Sequence, residues 1–291
     1  MRLILFIAVL LSACASEPDD LAEPPAEPRA ETVDADRPPV IRDTVRADWG
    51  RFFEDFGAVG TFALLDTETG QTSRYDPERA AARFTPASTF KVYNGLVFLD
   101  AGVVTDVDSV YAWDGVGRSI SAWNRDHSLR SGTEFSVVWL FQHLANEAGR
   151  EGYEAAFAKE PYGNATMGEP LDRAWLDGSL RISADEQVAF MDALRRGDLA
   201  FSAGDQTTIR DVLPLLDEGD GWRLRAKTGW GIPEGEPEIG WLVGWVERSS
   251  GDVVFAMNAE AAGDDSPWDM APDRLRLVRA ILESEDVISE R

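Results

Sequence analysis

Residues 84–94 read Phe-Thr-Pro-Ala-Ser-Thr-Phe-Lys-Val-Tyr-Asn and open an apolar run that ends near Gly102. Ser88 and Lys91 are three residues apart, so on a helix their side chains share one face. Backbone N–H groups in a first helical turn lack intrahelical partners and can stabilise an oxyanion. Apolar surroundings disfavour an ammonium, so we expect a lowered pKa for Lys91. The stretch therefore predicts a serine nucleophile with a neutral amine as its base.

Ser-x-x-Lys alone is a weak signal, because a helix-capping serine followed by a surface lysine gives the same pattern. Two later motifs favour the catalytic interpretation. Ser136-Val137-Val138 precedes a helical run, and Lys227-Thr228-Gly229 lies on a late predicted strand. Gly229 would let a ligand approach the strand backbone, and Lys227 supplies a positive charge. Three motifs in the order Ser-x-x-Lys, Ser-x-Val and Lys-Thr-Gly form a far more specific signal than Ser-x-x-Lys alone.

Several other chemistries lack the residues they need. The two histidines, His127 and His143, form no His-Glu-x-x-His pattern, and no Gly-x-Ser-x-Gly, phosphate-loop or dinucleotide-binding pattern occurs. We assign both histidines structural roles and predict no metal site. Cys14 is the only cysteine, which excludes an intrachain disulfide. The net charge of −24 argues against nucleic-acid binding and indicates a solvated acidic surface.

The N-terminus has the pattern of an export signal. Residues 1–13 join one positive charge to a short apolar run, and Leu11-Ser12-Ala13-Cys14 is typical of bacterial lipoprotein signals. An ordinary signal peptide with a chance cysteine is the alternative. Residues 14–39 are acidic and proline-rich, which predicts a disordered tether after a lipidated Cys14. We expect a periplasmic body, residues 40–291, anchored by lipid to a bacterial membrane; Ala15 is compatible with the outer membrane.

Hydrophobic periodicity predicts an α/β body in which strands at both ends of the sequence complete one antiparallel sheet. Terminal helices flank that sheet, and a helical region is inserted between its strands. Ser183 and Asp205 are predicted helix N-caps in the insert. The predicted elements are a helix over 41–56, strands over 59–66 and 71–75, a helix over 88–101, a helical and loop-rich stretch over 103–216, strands over 223–228, 239–248 and 253–259, and a helix over 273–285.

The motifs together resemble those of the class D, or oxacillinase-type, serine β-lactamases over residues 48–288. The resemblance implies a serine β-lactamase/penicillin-binding-protein-like α/β fold, with the active site between the sheet and the inserted helices. Beyond the three motifs it rests on Trp113-Asp114-Gly115, Trp123-Asn124-Arg125-Asp126, Tyr162-Gly163-Asn164, the stretch from Trp175 to Ser183, and Gly240-Trp241-Leu242-Val243-Gly244-Trp245.

The resemblance implies a covalent mechanism. Ser88 would open the β-lactam ring as nucleophile. Lys91 would be the general base after reacting with CO2 to give N6-carboxylysine, and no other cofactor is implied. Trp175 would donate its indole N–H to the carbamate, while Val138 and Leu176 would exclude water from it.

Further roles follow from the same resemblance. Ser136 would pass a proton toward the leaving nitrogen, and Lys227 would favour deprotonated Ser136 and attract the substrate carboxylate. The backbone N–H groups of Ser88 and Trp230 would form the oxyanion hole. Arg274, placed just before the last helix, would bind the carboxylate. Substrate-binding residues would be Thr228, Gly229, Trp230 and Arg274.

Three functions remain open from the residues. The expected one is hydrolysis of small-molecule β-lactams by a monomer or homodimer. A DD-peptidase or transpeptidase shares Ser-x-x-Lys and Lys-Thr-Gly, and a sensor-type penicillin-binding protein is acylated without turnover. Such sensors have transmembrane helices, and we predict none after residue 13. Tyr93 and Trp139 stand where many class D members have proline, and Trp139 follows Val138 directly, so it can reshape that wall.

Overall fold

A seven-stranded sheet is the centre of residues 42–289, the part of the chain that the computed structural model describes. Its spatial order is β1-β3-β2-β7-β6-β5-β4. β1 runs parallel to β3, and every other neighbouring pair is antiparallel. The strands are β1 (Arg42–Val45), β2 (Ala58–Asp66), β3 (Gln71–Tyr75), β4 (Leu215–Gly219), β5 (Trp222–Gly231), β6 (Ile239–Arg248) and β7 (Val253–Ala261).

The pairing of β2 with β7 joins the two ends of the sequence, which confirms the predicted sheet. Most of the helices lie between β3 and β4 in the chain, as the predicted insert requires. The helices are α1 (Gly50–Asp55), α2 (Pro77–Ala81), α3 (Lys91–Asp100), α4 (Leu129–Glu134), α5 (Val138–Lys159), α6 (Ala184–Arg196), α7 (Ala203–Val212) and α8 (Met270–Ser284), with 3-10 turns at Ala47–Trp49, Ala87–Phe90, Ser121–Trp123 and Leu171–Arg173.

Each face of the sheet covers one apolar core. One core joins Phe62 and Phe255 to Leu277 and Ile281 of α8. The other core extends from the opposite face into α3, α5 and α6. The sheet is therefore buried on both sides. Within the described residues, no helix combines the length and apolar character needed to cross a membrane.

Three local predictions were wrong. The predicted helix over 41–56 is helical only after residue 46, because β1 gains hydrogen bonds by pairing with β3. The N-cap of α7 is Ser202, whose hydroxyl accepts the Asp205 N–H, so Asp205 lies in the first turn. The last helix begins at Met270, where the Asp269 side chain accepts the N–H of Ala271.

Some sequence predictions lie outside the described residues. These are the signal over 1–13, the tether over 14–39 and the lipidated Cys14. The first two residues of the predicted body and its last two are also outside.

Candidate active site

Ser88 lies on the 3-10 turn Ala87–Phe90, immediately before α3 begins at Lys91. Ala87 adopts the left-handed conformation, with φ 49°. A non-glycine residue is strained there, and such strain persists where surrounding contacts impose it. The turn packs on β5, where Gly229 makes the close approach possible. A Cβ on Gly229 would lie 3.0 Å from the carbonyl oxygen of Pro86.

That contact changes the interpretation of Gly229. The sequence suggested that its lack of a side chain admits a ligand to the strand. A Cβ there would also lie 3.0 Å from Trp241 Cβ and 3.1 Å from Thr89 Cγ2. The glycine therefore admits the nucleophile turn itself, and so sets where Ser88 sits.

The amine of Lys91 is buried next to the nucleophile. Lys91 is 1% exposed, and its Nζ lies 2.8 Å from Ser88 Oγ. The Phe141 ring centroid is 5.1 Å from the same nitrogen. Burial lowers the pKa of Lys91 to about 7, because an ammonium loses its hydration there. A large fraction of Lys91 is therefore neutral near pH 7 and able to accept a proton.

Trp175 is fully buried, and its ring centroid lies 5.9 Å from that of Phe90. Its indole Nε1 has no hydrogen-bond partner in the described residues. An unpartnered buried donor costs about 1–3 kcal/mol of stability, so such a group points to a missing acceptor. Val138 and Leu176 are half-buried and line the cavity described below.

Ser136 and Lys227 meet across the site from different elements. Ser136 connects α4 to α5 with φ 56°, and Lys227 lies on β5. Lys227 Nζ is 3.1 Å from Ser136 Oγ and 2.9 Å from the Thr228 carbonyl oxygen. Burial lowers the pKa of Lys227 well below its ordinary value, and the charges of Lys91 and Arg274 lower it further. Three basic side chains, those of Lys91, Lys227 and Arg274, thus converge on one site.

Arg274 lies inside α8, as the helix predicted over 273–285 requires, so the place just before the helix that the resemblance gave it was wrong. Its Nε donates to the Met270 carbonyl at 2.6 Å and its Nη1 donates to the Gly229 carbonyl. Burial lowers the pKa of Arg274 to about 10. Nearby Arg279 instead contacts Asp217 and Glu283.

Gly240 on β6 leaves the room that Arg274 occupies. A Cβ on this glycine would lie 2.2 Å from Met270 Sδ and 2.9 Å from Arg274 Cδ. Gly240 belongs to the motif quoted from the sequence, but its role depends on a contact between β6 and α8 that the sequence does not reveal.

Some of these residues line a cavity of about 340 Å³. Ser88, Ser136, Thr228 and Arg274 are among its polar lining residues, the rest of the lining is mostly apolar, and Lys91, Lys227 and Trp175 lie behind it. The lining residues are Ser88, Ile120, Trp123, Phe135, Ser136, Val138, Leu176, Thr228, Trp230, Ile232 and Arg274. Sequence reasoning assigned no role to Ile120, Trp123, Phe135 or Ile232. The motif Trp123-Asn124-Arg125-Asp126 was the one sequence signal that included any of these four lining residues.

The histidines lie outside that lining. His127 is buried, and its ring nitrogens contact the Ala122 carbonyl oxygen and the Ser131 hydroxyl. His143 is half exposed and lies 3.3 Å from Glu147. Tyr93 is buried in an aromatic cluster and donates to the Glu160 carbonyl at 2.6 Å.

The fold and the three converging motifs define a serine acyl-transfer enzyme of the penicillin-binding type. The family model for the penicillin-binding protein transpeptidase domain matches residues 60–280 of this chain. β-Lactamase OXA-2 of Escherichia coli is 39% identical over 245 residues, which cover 84% of this chain and 86% of that protein. β-Lactamase OXA-48 of Klebsiella pneumoniae is 35% identical over 82% of this chain and 88% of its own length.

Solved structures agree with these relatives. The class D β-lactamase FUS-1 (OXA-85) of Fusobacterium nucleatum subsp. polymorphum is 34% identical with a TM-score of 0.78, covering 84% of this chain and 99% of that one. The C-terminal domain of the Bacillus licheniformis BlaR penicillin-receptor is 30% identical with a TM-score of 0.78, covering 87% of this chain and all of that one. The chain belongs to the class D β-lactamases, which are serine enzymes.

Proposed function

We propose that this protein hydrolyses β-lactam antibiotics through an acyl-enzyme on Ser88, with N-carboxylated Lys91 as the general base. One observation carries the proposal. The Lys91 amine is buried 2.8 Å from Ser88 Oγ, with a pKa lowered to about 7. A base for serine must be unprotonated at working pH and within hydrogen-bond reach, and Lys91 meets both requirements.

Acylation uses two hydroxyl groups that line the cavity, those of Ser88 and Ser136. The base at Lys91 takes the Ser88 proton, Ser88 Oγ attacks the β-lactam carbonyl carbon, and the ring C–N bond breaks. Ser136 passes a proton to the leaving nitrogen. Backbone N–H groups of Ser88 and Trp230 stabilise the oxyanion. In deacylation the same base takes a proton from water, whose oxygen attacks the ester carbonyl carbon. The bond from that carbon to Ser88 Oγ then breaks, and the base returns the proton to Ser88 Oγ.

The residues around Lys91 fit a carbamate. A neutral amine attacks CO2, forms an N–C bond and releases one proton, so the lowered pKa favours the reaction. The product is an anion that needs a donor, and the buried indole N–H of Trp175 has no acceptor among residues 42–289. Half-buried Val138 and Leu176 limit the access of water.

Arg274 and Lys227 suit the binding of a β-lactam carboxylate. Two of the five N–H donors of the Arg274 guanidinium bond to backbone carbonyl oxygens. Its remaining donors can bind the substrate carboxylate, beside the Thr228 hydroxyl and Gly229. A bound carboxylate also places a negative charge near Lys227, which raises the pKa of that amine and favours its charged form.

Turnover of a chromogenic cephalosporin tests the proposal. We expect multiple turnovers by the wild type and none by Ser88→Ala. Absorbance that stops after one equivalent per enzyme would contradict hydrolysis.

A sensor-type penicillin-binding protein is the second candidate, and the similarity to the penicillin-receptor domain favours it. Such a protein would form the Ser88 acyl-enzyme and retain it. Intact-protein mass spectrometry after removal of free substrate separates the candidates. A β-lactamase returns to the unmodified mass, whereas a receptor keeps the adduct.

We further propose a periplasmic location with a lipid anchor on Cys14, supported by the sequence pattern at residues 11–14. Metabolic labelling with a radioactive fatty acid in Escherichia coli should mark the wild type and leave Cys14→Ser unlabelled. Equal labelling of both proteins would contradict the anchor. Membrane fractionation of the labelled cells would then identify which membrane holds it.

A further inference from the structure

One wall of the active-site cavity is a short loop segment. Residues 120–123, here called the 120–123 wall, comprise Ile120 and the 3-10 turn Ser121–Trp123. Ile120 and Trp123 line the cavity, and Ile120 is 47% exposed. The segment belongs to no strand of the sheet, so side chains must set its position.

Two buried side chains hold consecutive carbonyl groups of this wall. Trp139 Nε1 donates to the Trp123 carbonyl at 2.9 Å. His127 Nε2 donates to the Ala122 carbonyl at 2.8 Å, and its Nδ1 lies 3.0 Å from Ser131 Oγ.

The holding side chains are anchored in the core. Trp139 is 7% exposed and His127 is 1% exposed, with their ring centroids 6.3 Å apart. The Trp123 indole in turn donates to the Phe135 carbonyl at 2.9 Å, and Phe135 precedes Ser136. The wall is thereby tied to the loop that carries a catalytic hydroxyl.

We propose that Trp139 and His127 are positioning residues that hold the 120–123 wall in place, so that the acyl side chain of a bound β-lactam can pack against it. This inference rests on the proposed β-lactamase function and adds a determinant of substrate choice. Neither residue touches the reacting atoms. The mostly apolar lining of the cavity matches an aromatic substituent better than a charged one.

The expected effect follows from the contacts. Replacing Trp139 by Phe keeps an aromatic ring in the core and removes the N–H that holds the wall. A neutral hydrogen bond contributes about 1 kcal/mol net, which corresponds to about a fivefold change in affinity. The bond is lost in the free enzyme, so the wall loosens, and a substrate that packs on the wall must order it again on binding. That cost is the same in ground and transition states, and a substrate that does not reach the wall does not incur it. The loss therefore raises KM and leaves kcat unchanged.

Steady-state kinetics with two penicillins of the same nucleus test the proposal. Oxacillin carries a bulky aryl side chain, and 6-aminopenicillanic acid carries none. For Trp139→Phe we expect the KM for oxacillin to rise about fivefold, with kcat within twofold and both constants for 6-aminopenicillanic acid unchanged. The matched control is Trp222→Phe, because Trp222 Nε1 bonds Ser289 Oγ and does not line the cavity. Equal changes for both penicillins, or none, would overturn the assignment.

His127 supplies an independent variant pair. Gln can donate to the Ala122 carbonyl and form a hydrogen bond with the Ser131 hydroxyl, whereas Leu can do neither. We therefore expect His127→Gln to keep the oxacillin KM near the wild-type value and His127→Leu to raise it. If the two variants behave alike, hydrogen bonding by His127 does not position the wall.

Amide hydrogen exchange examines the wall without substrate. The N–H groups of Arg118, Trp123 and Asn124 are hydrogen-bonded within the segment. Trp139→Phe should speed their exchange in a peptide covering 118–124, relative to Trp222→Phe. Unchanged exchange would refute the positioning role even if the wild type hydrolysed no β-lactam, so the two proposals fail separately.

Discussion

Trp175→Phe is the substitution that isolates the carbamate. It removes the indole N–H, which has no acceptor in the described residues, and keeps an aromatic ring beside Phe90. A hydrogen bond to a charged group contributes about 1.5–3 kcal/mol, which corresponds to a factor of about 10 to 150 in an equilibrium constant. If the carbamate accepts this N–H, the CO2 affinity of Lys91 should fall by that factor.

The assay measures that affinity through activity. Enzyme depleted of CO2 at acidic pH is returned to neutral buffer and titrated with bicarbonate, and the initial rate with a chromogenic cephalosporin is recorded. We expect the half-maximal bicarbonate concentration to rise tenfold or more in Trp175→Phe and to stay unchanged in Trp222→Phe. Identical titrations for wild type and Trp175→Phe would refute the idea that Trp175 stabilises a carbamate.

Three further predictions rest on the same geometry. Burial lowers the pKa of Lys91 from an ordinary 10.5 to about 7, so the free energy of unfolding should rise with pH between those values. In urea denaturation without CO2, the free energy of unfolding of Lys91→Met should exceed that of the wild type by about a few kcal/mol at pH 6, and the difference should shrink toward pH 10. Gly229→Ala should lower kcat at least tenfold and stability by about 1–3 kcal/mol through overpacking, whereas Gly117→Ala, with open space around its Cβ, should do neither. Arg274→Ala should raise KM for penicillins at least tenfold by losing a charged contact, and Arg279→Ala should leave KM unchanged.

Each of these predictions has an outcome that contradicts it. A Lys91→Met variant that is less stable than wild type at pH 6 would show that the buried amine is not destabilised by charge. Full activity of Gly229→Ala would mean that the turn bearing Ser88 tolerates a shift away from β5. Equal KM values for Arg274→Ala and Arg279→Ala would remove Arg274 from the substrate site.

The sequence predicted the parts of the site that depend on short motifs. Ser88 and Lys91 are close because a helical turn brings residues three apart together, and this geometry is local. The sheet was predictable because β6 and β7 are long apolar runs, and a central strand covered on both faces buries such a run along most of its length. Lys227 and Ser136 could be assigned to one site only through the resemblance to a family, because no local rule brings them together.

The sequence failed where tertiary contacts override local patterns. The apolar spacing over residues 41–56 resembles one helix, yet pairing with β3 converts its start into a strand. The alignment of Arg274 was loose because three arginines lie within one stretch of α8, and only the packing against Gly240 and Gly229 selects it. The expected effect of Trp139 on the wall at Val138 stays a prediction, and the bond from its indole to the Trp123 carbonyl is a tertiary contact that the sequence does not reveal.

The central claim is that Lys91 carries CO2 when it serves as the base. Carbon-13 NMR of the enzyme equilibrated with labelled bicarbonate tests it most directly. We predict one carbamate resonance for the wild type at neutral pH, which disappears on acidification and is absent from Lys91→Ala. A wild-type spectrum without that resonance, from a sample that hydrolyses β-lactams, would contradict the claim and leave the Lys91 amine itself as the base.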